Sequence, residues 1–366
     1  MRTPHGDLNL PVFLPDATRA VVRALDSVDV RQCGIEAVMV NTLHLSSHPG
    51  LSTVQNAGGI HSFMGWDAPV MSDSGGYQVF SLLAQTPKAG SVTTRGFTYH
   101  LGGRKRRLTP ESCIRKQLKM RADVLFCLDH CTHPSADFST QRQSVENTVR
   151  WARAGKHIFE SMLEQREEAG VKSHPVGTAA GVRPLLFAVV QGGSHEELRR
   201  ECAQRLLEIG FDGYGYGGWP INDTGGLMES VSLTAELIPS EITMHGLGIG
   251  KPNNLVRAFQ LGYDSFDCVI PTRDARHRRL YAFTDSLDKV CLDNADFFRQ
   301  IYIDDERHAK QKGPVDRSCD CLCCRRYSMS YLRHLFQIGD ASAARLATIH
   351  NLRFYSRLMD ILRYRF

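Results

Sequence analysis

"VMSDSGGYQVFSL", residues 70–82, is the stretch on which the reading of this chain turns. An apolar start suited to a buried strand runs into Asp73, Ser74, Gly75 and Gly76, and a second apolar stretch begins at Tyr77. Asp before Gly-Gly makes an ordinary turn, because Gly accepts positive φ and Asp bonds its own backbone. The same residues also describe a strand that ends on a carboxylate and hands over to a helix. The rest of the sequence chooses between the two.

Runs like this one recur: "EAVMVN", "PVMSD", "DVLFCLD", "LLFAVVQGG", "GFDGYGYGG", "GLGIG" and "SFDCVI". Each ends in polar residues or Gly and is followed by a helix-like stretch. Thr109-Pro110 reads as a helix start, Ser194 with Glu197 as a capping box, and Gly210 as a helix stop. Strands this apolar suit a parallel sheet buried on both faces. Seven or eight βα units predict an α/β protein with a (β/α)8 barrel. "GLGIGKP" at 246–252 fits a dinucleotide fingerprint only loosely, so the open Rossmann sheet is set aside.

In such a barrel the active site forms at the C-terminal ends of the strands. Those ends carry Asn41, Asp73, Asp129, Gln191, Gly217-Gly218, Gly248 and Asp267. The spacing therefore predicts three carboxylates and an amide around one mouth. Gly75 and Gly76 would let the backbone approach a flat ligand, and Tyr77 would stack on it.

The chain has 366 residues, 42% hydrophobic and 23% charged, and its apolar runs fall short of the ~20 residues a membrane span needs. The opening "MRTPHGDLNLPVF" lacks the pattern of a signal peptide, which predicts a cytoplasmic protein whose 11 cysteines are reduced or bind metal. The net charge of +5 is mild, but basic residues cluster at Arg104–Arg107, at Arg273–Arg279 and throughout the segment after Arg317. Clusters of that kind favour an anionic partner.

"SCDCLCCRRYSMSYLRHLFQIGDASAARLATIHNLRFY", residues 318–355, has the most specific spacing. Cys319, Cys321, Cys324 and His350 supply three thiolates and an imidazole, the ligand set of a closed structural zinc site. Cys323 stands next to Cys324 and competes for the same role.

These stretches, together with "SDSGGYQVFSL", "LDHCTHPSAD", "FDCVIPTRDAR" and "TIHNLRFYSRLM", resemble the tRNA-guanine transglycosylases, especially the bacterial type, in family order across nearly the whole chain. The resemblance implies a (β/α)8 barrel with an N-terminal strand hairpin over residues 1–290. It also implies a zinc-binding subdomain over 291–350 near the end of the barrel, and a C-terminal helix over 351–366. It implies exchange of guanine at the wobble position of a tRNA anticodon for a 7-deazaguanine, in a homodimer. By motif, Asp267 matches the nucleophile and Asp73 the general acid/base. Asp129, Gln191 and Gly218 match the residues on the base edge, and Tyr77 the aromatic on its face. Cys319, Cys321, Cys324 and His350 match the zinc ligands, which favours Cys324 over Cys323. Arg273 and Arg276 match anticodon-loop contacts, with Lys251 a further candidate.

The residue types suit that chemistry. Remaking an N-glycosidic bond at the same carbon with retained configuration needs two displacements and a carboxylate that carries the sugar between them. A second carboxylate must protonate the leaving base and deprotonate the incoming one. Three departures from the family pattern stand out: His130 after Asp129, Trp219 after Gly218, and Asp223 where a Glu is usual. Pro220 removes an N–H donor beside Trp219. A carbonyl there backed by Asp223 would suit an aminomethyl-deazaguanine over queuine. A non-catalytic partner subunit and a base-exchange enzyme for DNA are the competing readings.

Overall fold

The computed structural model describes residues 1–168 and 181–365. Eight parallel strands form the centre: β1 Val12–Pro15, β2 Val38–Asn41, β3 Val70–Asp73, β4 Val124–Phe126, β5 Leu185–Val190, β6 Gly213–Tyr216, β7 Thr243–Leu247 and β8 Ser265–Cys268. They are ordered β1-β8-β7-β6-β5-β4-β3-β2. A single parallel bridge between Asp16 and Met39 joins β1 to β2, so the sheet is a nearly closed barrel. The expected (β/α)8 architecture is therefore present.

Two strand assignments change. β1 follows Pro11 and ends on Pro15, in a stretch that reads poorly as a strand because Pro lacks an N–H for the ladder. β7 begins upstream of "GLGIG" and ends at Leu247, because Gly248 turns the chain with φ +73°.

Period-2 alternation sets which residues face the interior. Val12, Leu14, Met39, Met71, Val124, Phe126, Phe187 and Val189 fill it. β6 reads Gly-Tyr-Gly-Tyr because its inner positions have no room. A Cβ on Gly213 would lie 2.3 Å from the Phe187 ring, and one on Gly217 would lie 2.7 Å from the Gln191 amide. The tyrosines of β6 are buried behind the sheet instead.

Helix Pro110–Met120 starts as expected, with Thr109 as its cap and Pro110 in its first turn. The Ser194 capping box does not form. After the positive-φ turn at Gly192 and Gly193, His195 takes the cap position and the helix runs Glu196–Ile209, stopping at Gly210.

The long helix Ala341–Arg365 crosses the barrel seam from outside. Arg345 pairs with Asp29, and Ser356 donates to the Cys33 carbonyl. Near its end, Arg363 donates to the Pro11 and Asn9 carbonyls before β1 and pairs with Glu36 before β2. Phe366 lies outside the described residues. Among the described residues, no helix is long and apolar enough to cross a membrane.

At the opposite end of the barrel from the mouth, the hairpin of Arg2–Thr3 and Gly6–Asp7 is fastened by a buried carboxylate. Asp123 accepts from His5 Nδ1 at 2.7 Å, His61 Nε2 at 2.9 Å, Val70 N at 2.7 Å and His5 N at 3.0 Å. The two imidazoles stack at 3.4 Å with planes 13° apart. Stacked rings hold their in-plane nitrogens side by side, which suits the two oxygens of a carboxylate better than one shared ion. Burial pushes the Asp123 carboxyl up, but the hydrogen bonds from His5 and His61 outweigh it and hold it below the usual range. Its charge therefore stabilises the fold above the unfolded Asp value of about 4, and that contribution is lost as pH falls below it. Replacing Asp123 with Ala is expected to cost about 3 kcal/mol at neutral pH, since it strands four donors. Urea titrations at pH 7 and pH 3 check this, and the difference from wild type should shrink at the lower pH.

Candidate active site and metal centre

Inward positions two residues apart put Met71 in the barrel core and Asp73 at its rim. The same alternation carries Gln191 above Val189 and Asp267 above Ser265. Asp73, Asp129, Gln191, Gly218 and Asp267 thus belong to one mouth.

Asp73 is held by neutral donors. Its Oδ2 accepts from Asn41 Nδ2 at 2.8 Å and Gln78 Nε2 at 3.0 Å, and its Oδ1 from Gly75 N at 3.2 Å. Asn41 is itself fixed, because its Oδ1 caps helix Thr42–Ser47 through Leu43 N and His44 N. Gly75 has φ +84°, and a Cβ there would press within 3.0 Å of Leu43. The turn first suggested by "DSGG" is real, and it also aims the carboxylate. Burial raises the Asp73 pKa and the nearby Asp267 charge adds to the rise, while the three donors oppose it.

Asp129 stands three residues after the end of β4 and accepts from Gln191 Nε2 at 2.7 Å. Burial pushes its pKa to about 6, with the Gln191 bond lowering and the Asp73 charge raising it.

Asp267 lies on β8 and accepts from His245 Nε2 at 3.1 Å and Gly248 N at 3.3 Å. His245 sits on β7, is fully buried, and contacts Ser265 Oγ through Nδ1 at 2.9 Å. Sequence reading missed this histidine. A lone His in an apolar run reads as core, and only the pairing of His245 with Ser265 in register places it against Asp267.

Tyr77, in the first turn of helix Gly76–Gln85, is 45% exposed and meets Trp219 edge-on at 6.3 Å. Trp219 donates its indole N–H to the Thr132 carbonyl at 3.2 Å. The Trp219 carbonyl accepts from the Tyr216 hydroxyl at 3.3 Å, and Ser230 stands behind that hydroxyl at 2.8 Å. Asp223 does not back this carbonyl. It is exposed in the tight turn Asn222–Gly226, which Asn222 closes through its own side chain, and among the described residues it makes no hydrogen bond. His130 is buried beneath Trp151 and Phe97, and burial lowers its pKa to about 4.

Lys251 caps helix Pro252–Gln260 after β7, and Arg273 and Arg276 lie on helix Ile270–Arg276 after β8. Lys251 and Arg273 are exposed. Arg276 is half-buried and donates to the Thr272 carbonyl at 2.8 Å. All three follow strand ends, so they belong to the rim rather than the base of the barrel.

Away from the mouth, Cys319, Cys321, Cys324 and His350 converge, with their ligand atoms within 4.8 Å of one another. Cys324 Sγ lies 3.2 Å and Cys321 Sγ 3.7 Å from His350 Nδ1. Cys324 N donates to Cys321 Sγ, a bond suited to a thiolate. His350 Nε2 is bound to the Tyr281 carbonyl at 2.6 Å, which puts the proton there and leaves Nδ1 for a metal. Four buried soft donors of this kind fit a metal ion. Cys323 is buried as well but its sulfur is not among the converging ligand atoms, so the adjacent pair is resolved in favour of Cys324.

The sequence profile of the family described as queuine tRNA-ribosyltransferase matches residues 1–365. A queuine tRNA-ribosyltransferase of Thermoanaerobacter pseudethanolicus is 36% identical over 366 residues, covering 99% of this chain and 88% of that protein. One from Desulfosudis oleivorans is 38% identical over 363 residues, covering 98% of this chain and 86% of the relative. One from Novosphingobium aromaticivorans is 35% identical over 362 residues, covering 98% and 88%.

The metal centre generates a prediction of its own. Elemental analysis should find a bound metal ion in the purified protein, and Cys321→Ser should lose it and lower Tm by several degrees, because the binding energy of a structural site is folding energy. Metal-free protein of wild-type stability would contradict this.

Proposed function

The chain belongs to the queuine tRNA-ribosyltransferase family, and from that premise we propose that it exchanges guanine at the wobble position of a tRNA anticodon for a 7-deazaguanine. The observation that carries the reading is the division of labour among the mouth carboxylates. Asp267, bound by His245 and the Gly248 N–H, is the nucleophile that takes the ribose carbon as guanine leaves. Asp73, whose pKa is raised, protonates the departing base and accepts a proton from the incoming one. Asp129 and Gln191 pair with the base edge, with Gly218 beside them, and Tyr77 and Trp219 cover its face. A base taken out of its stack into such a pocket is read by hydrogen bonds to its edge and by stacking.

Lys251, Arg273 and Arg276 neutralise phosphates of the anticodon loop at the rim. Zinc is the metal for the Cys3His centre, where it ties the C-terminal helix to the preceding segment and supplies no open coordination position. The divisions at residues 290 and 350, cytoplasmic location and homodimer formation belong to the same proposal, and light scattering reports the oligomer.

For the incoming base, an aminomethyl-deazaguanine is favoured, on a different ground from Asp223. The Trp219–Pro220 peptide has no N–H, so it offers acceptors alone, and its carbonyl keeps a second lone pair beyond the one Tyr216 uses. An amine substituent can donate to it.

Asp267→Asn is expected to abolish base exchange and the covalent RNA adduct while leaving the melting temperature within a few degrees of wild type. A denaturation-resistant adduct in that variant would place the nucleophile elsewhere. Competition kinetics with guanine, the aminomethyl base and queuine test the base. kcat/KM for the free base should fall as pH drops through about 6, because protonated Asp129 no longer accepts from the base N–H groups. A tenfold preference for queuine would overturn the base assignment but not the reaction.

A further inference from the structure

Behind the base-edge wall lies a cation that the mechanism above does not use. Arg199, on helix Glu196–Ile209, is fully buried and forms no ion pair among the described residues. Its donors all go to neutral oxygens. Nε reaches the Gly193 carbonyl at 2.7 Å, Nη1 the Val190 carbonyl at 3.2 Å and Thr234 Oγ1 at 3.1 Å, and Nη2 the Gly217 carbonyl at 3.0 Å. Its guanidinium lies 4.3 Å over the Tyr216 ring. Burying an unpaired charge is costly, and a helix facing a barrel could fill this space with an apolar side chain. What the guanidinium adds is a planar fork of fixed geometry spanning two strand ends.

The direction of one peptide follows from that fork. In a trans peptide the carbonyl and the next N–H point opposite ways. Arg199 draws the Gly217 carbonyl to the back of the wall, so the Gly218 N–H is turned to the other side, where it has no hydrogen-bond partner among the described residues. Gly218 holds φ +106°, and a Cβ there would sit 3.6 Å from Arg199 Nη2 and 3.8 Å from Gln191 Oε1. Gly218 therefore lies close to both the guanidinium and the Gln191 amide, and Val190, also held by Arg199, immediately precedes Gln191.

We propose that Arg199 is a positioning residue that fixes the Gly217–Gly218 peptide so that the Gly218 N–H serves as a set donor to the 6-oxo oxygen of the bound base. This rests on the reading that Asp129, Gln191 and Gly218 bind the base edge. Arg199 touches no substrate atom. Its effect is on which base is held, rather than on breaking the bond.

The test compares dissociation constants of free guanine and 6-thioguanine, which differ only in that acceptor, sulfur being the weaker one. They are measured by titration calorimetry on wild type, Arg199→Lys, Arg199→Met and Thr234→Val. Wild type should prefer guanine by about tenfold, the difference one good hydrogen bond makes. Arg199→Met should bring the ratio close to one, and Arg199→Lys and Thr234→Val should give intermediate ratios with zinc content unchanged. Variants that keep the wild-type ratio, or that lose affinity for both bases equally, overturn the proposal. If Arg199→Met does not fold, Thr234→Val, which leaves the guanidinium in place, decides alone. Wild type that binds guanine without preferring it over 6-thioguanine would refute the base-edge reading itself, and wild type that binds neither would refute the proposed reaction.

Discussion

Three carboxylates at one rim lose water and repel one another, and the way each is held sets what the mouth can do. The side-chain and backbone hydrogen bonds to Asp73 and Asp129 come from amides, and Asp267 adds an imidazole. No lysine or arginine side chain is bonded to any of the three among the described residues. Amide donors fix direction without supplying a full positive charge, so burial remains the dominant influence on Asp73 and Asp129 and raises both. An arginine beside Asp73 would have driven its pKa down and removed its use as an acid at neutral pH. Arg199, a cation buried close to the site, spends its donors on neutral oxygens instead.

Much of this was legible in the sequence because a strand buried on both faces has to be apolar throughout. The runs ending at Asn41 and Asp73 mark real strand ends, Asp267 stands one residue before the end of its strand, and alternation alone then says which residues face inward. The metal ligands were equally readable, since few roles other than metal binding call for that Cys spacing with a distant His. β1 was harder, because a proline before it and another at its end hide a strand whose ladder is satisfied by β8 and a single bridge. His245 was invisible for a different reason: its significance lies in register with β8, which no local pattern records.

The loop from Gly217 to Gly226 shows where sequence distance misleads. Asp223 is four residues from Trp219, close enough to suggest contact. Asn222 instead closes a turn on itself and leaves Asp223 in solvent, while Tyr216, three residues earlier, reaches the Trp219 carbonyl. Tyr216 points out of the barrel because β6 must present glycine inward. The orientation of the carbonyl is thus set by crowding around Phe187, Leu247 and Gln191 on the other face of the sheet.

The seam between β1 and β2 has a bearing on how the chain is made. Among the described residues the full ladder partner of β1 is β8, more than 250 residues later, and the helix that holds both sides of the seam comes after β8 in the sequence. On the ribosome β1 must wait without that partner until β8 has emerged. Contacts this distant in sequence slow folding and lengthen the exposure of unpaired edges. A nascent chain that stalls before residue 265 therefore lacks the partner strand of β1, and the quality of the finished barrel depends on β8 being translated promptly and on β1 being shielded until it is.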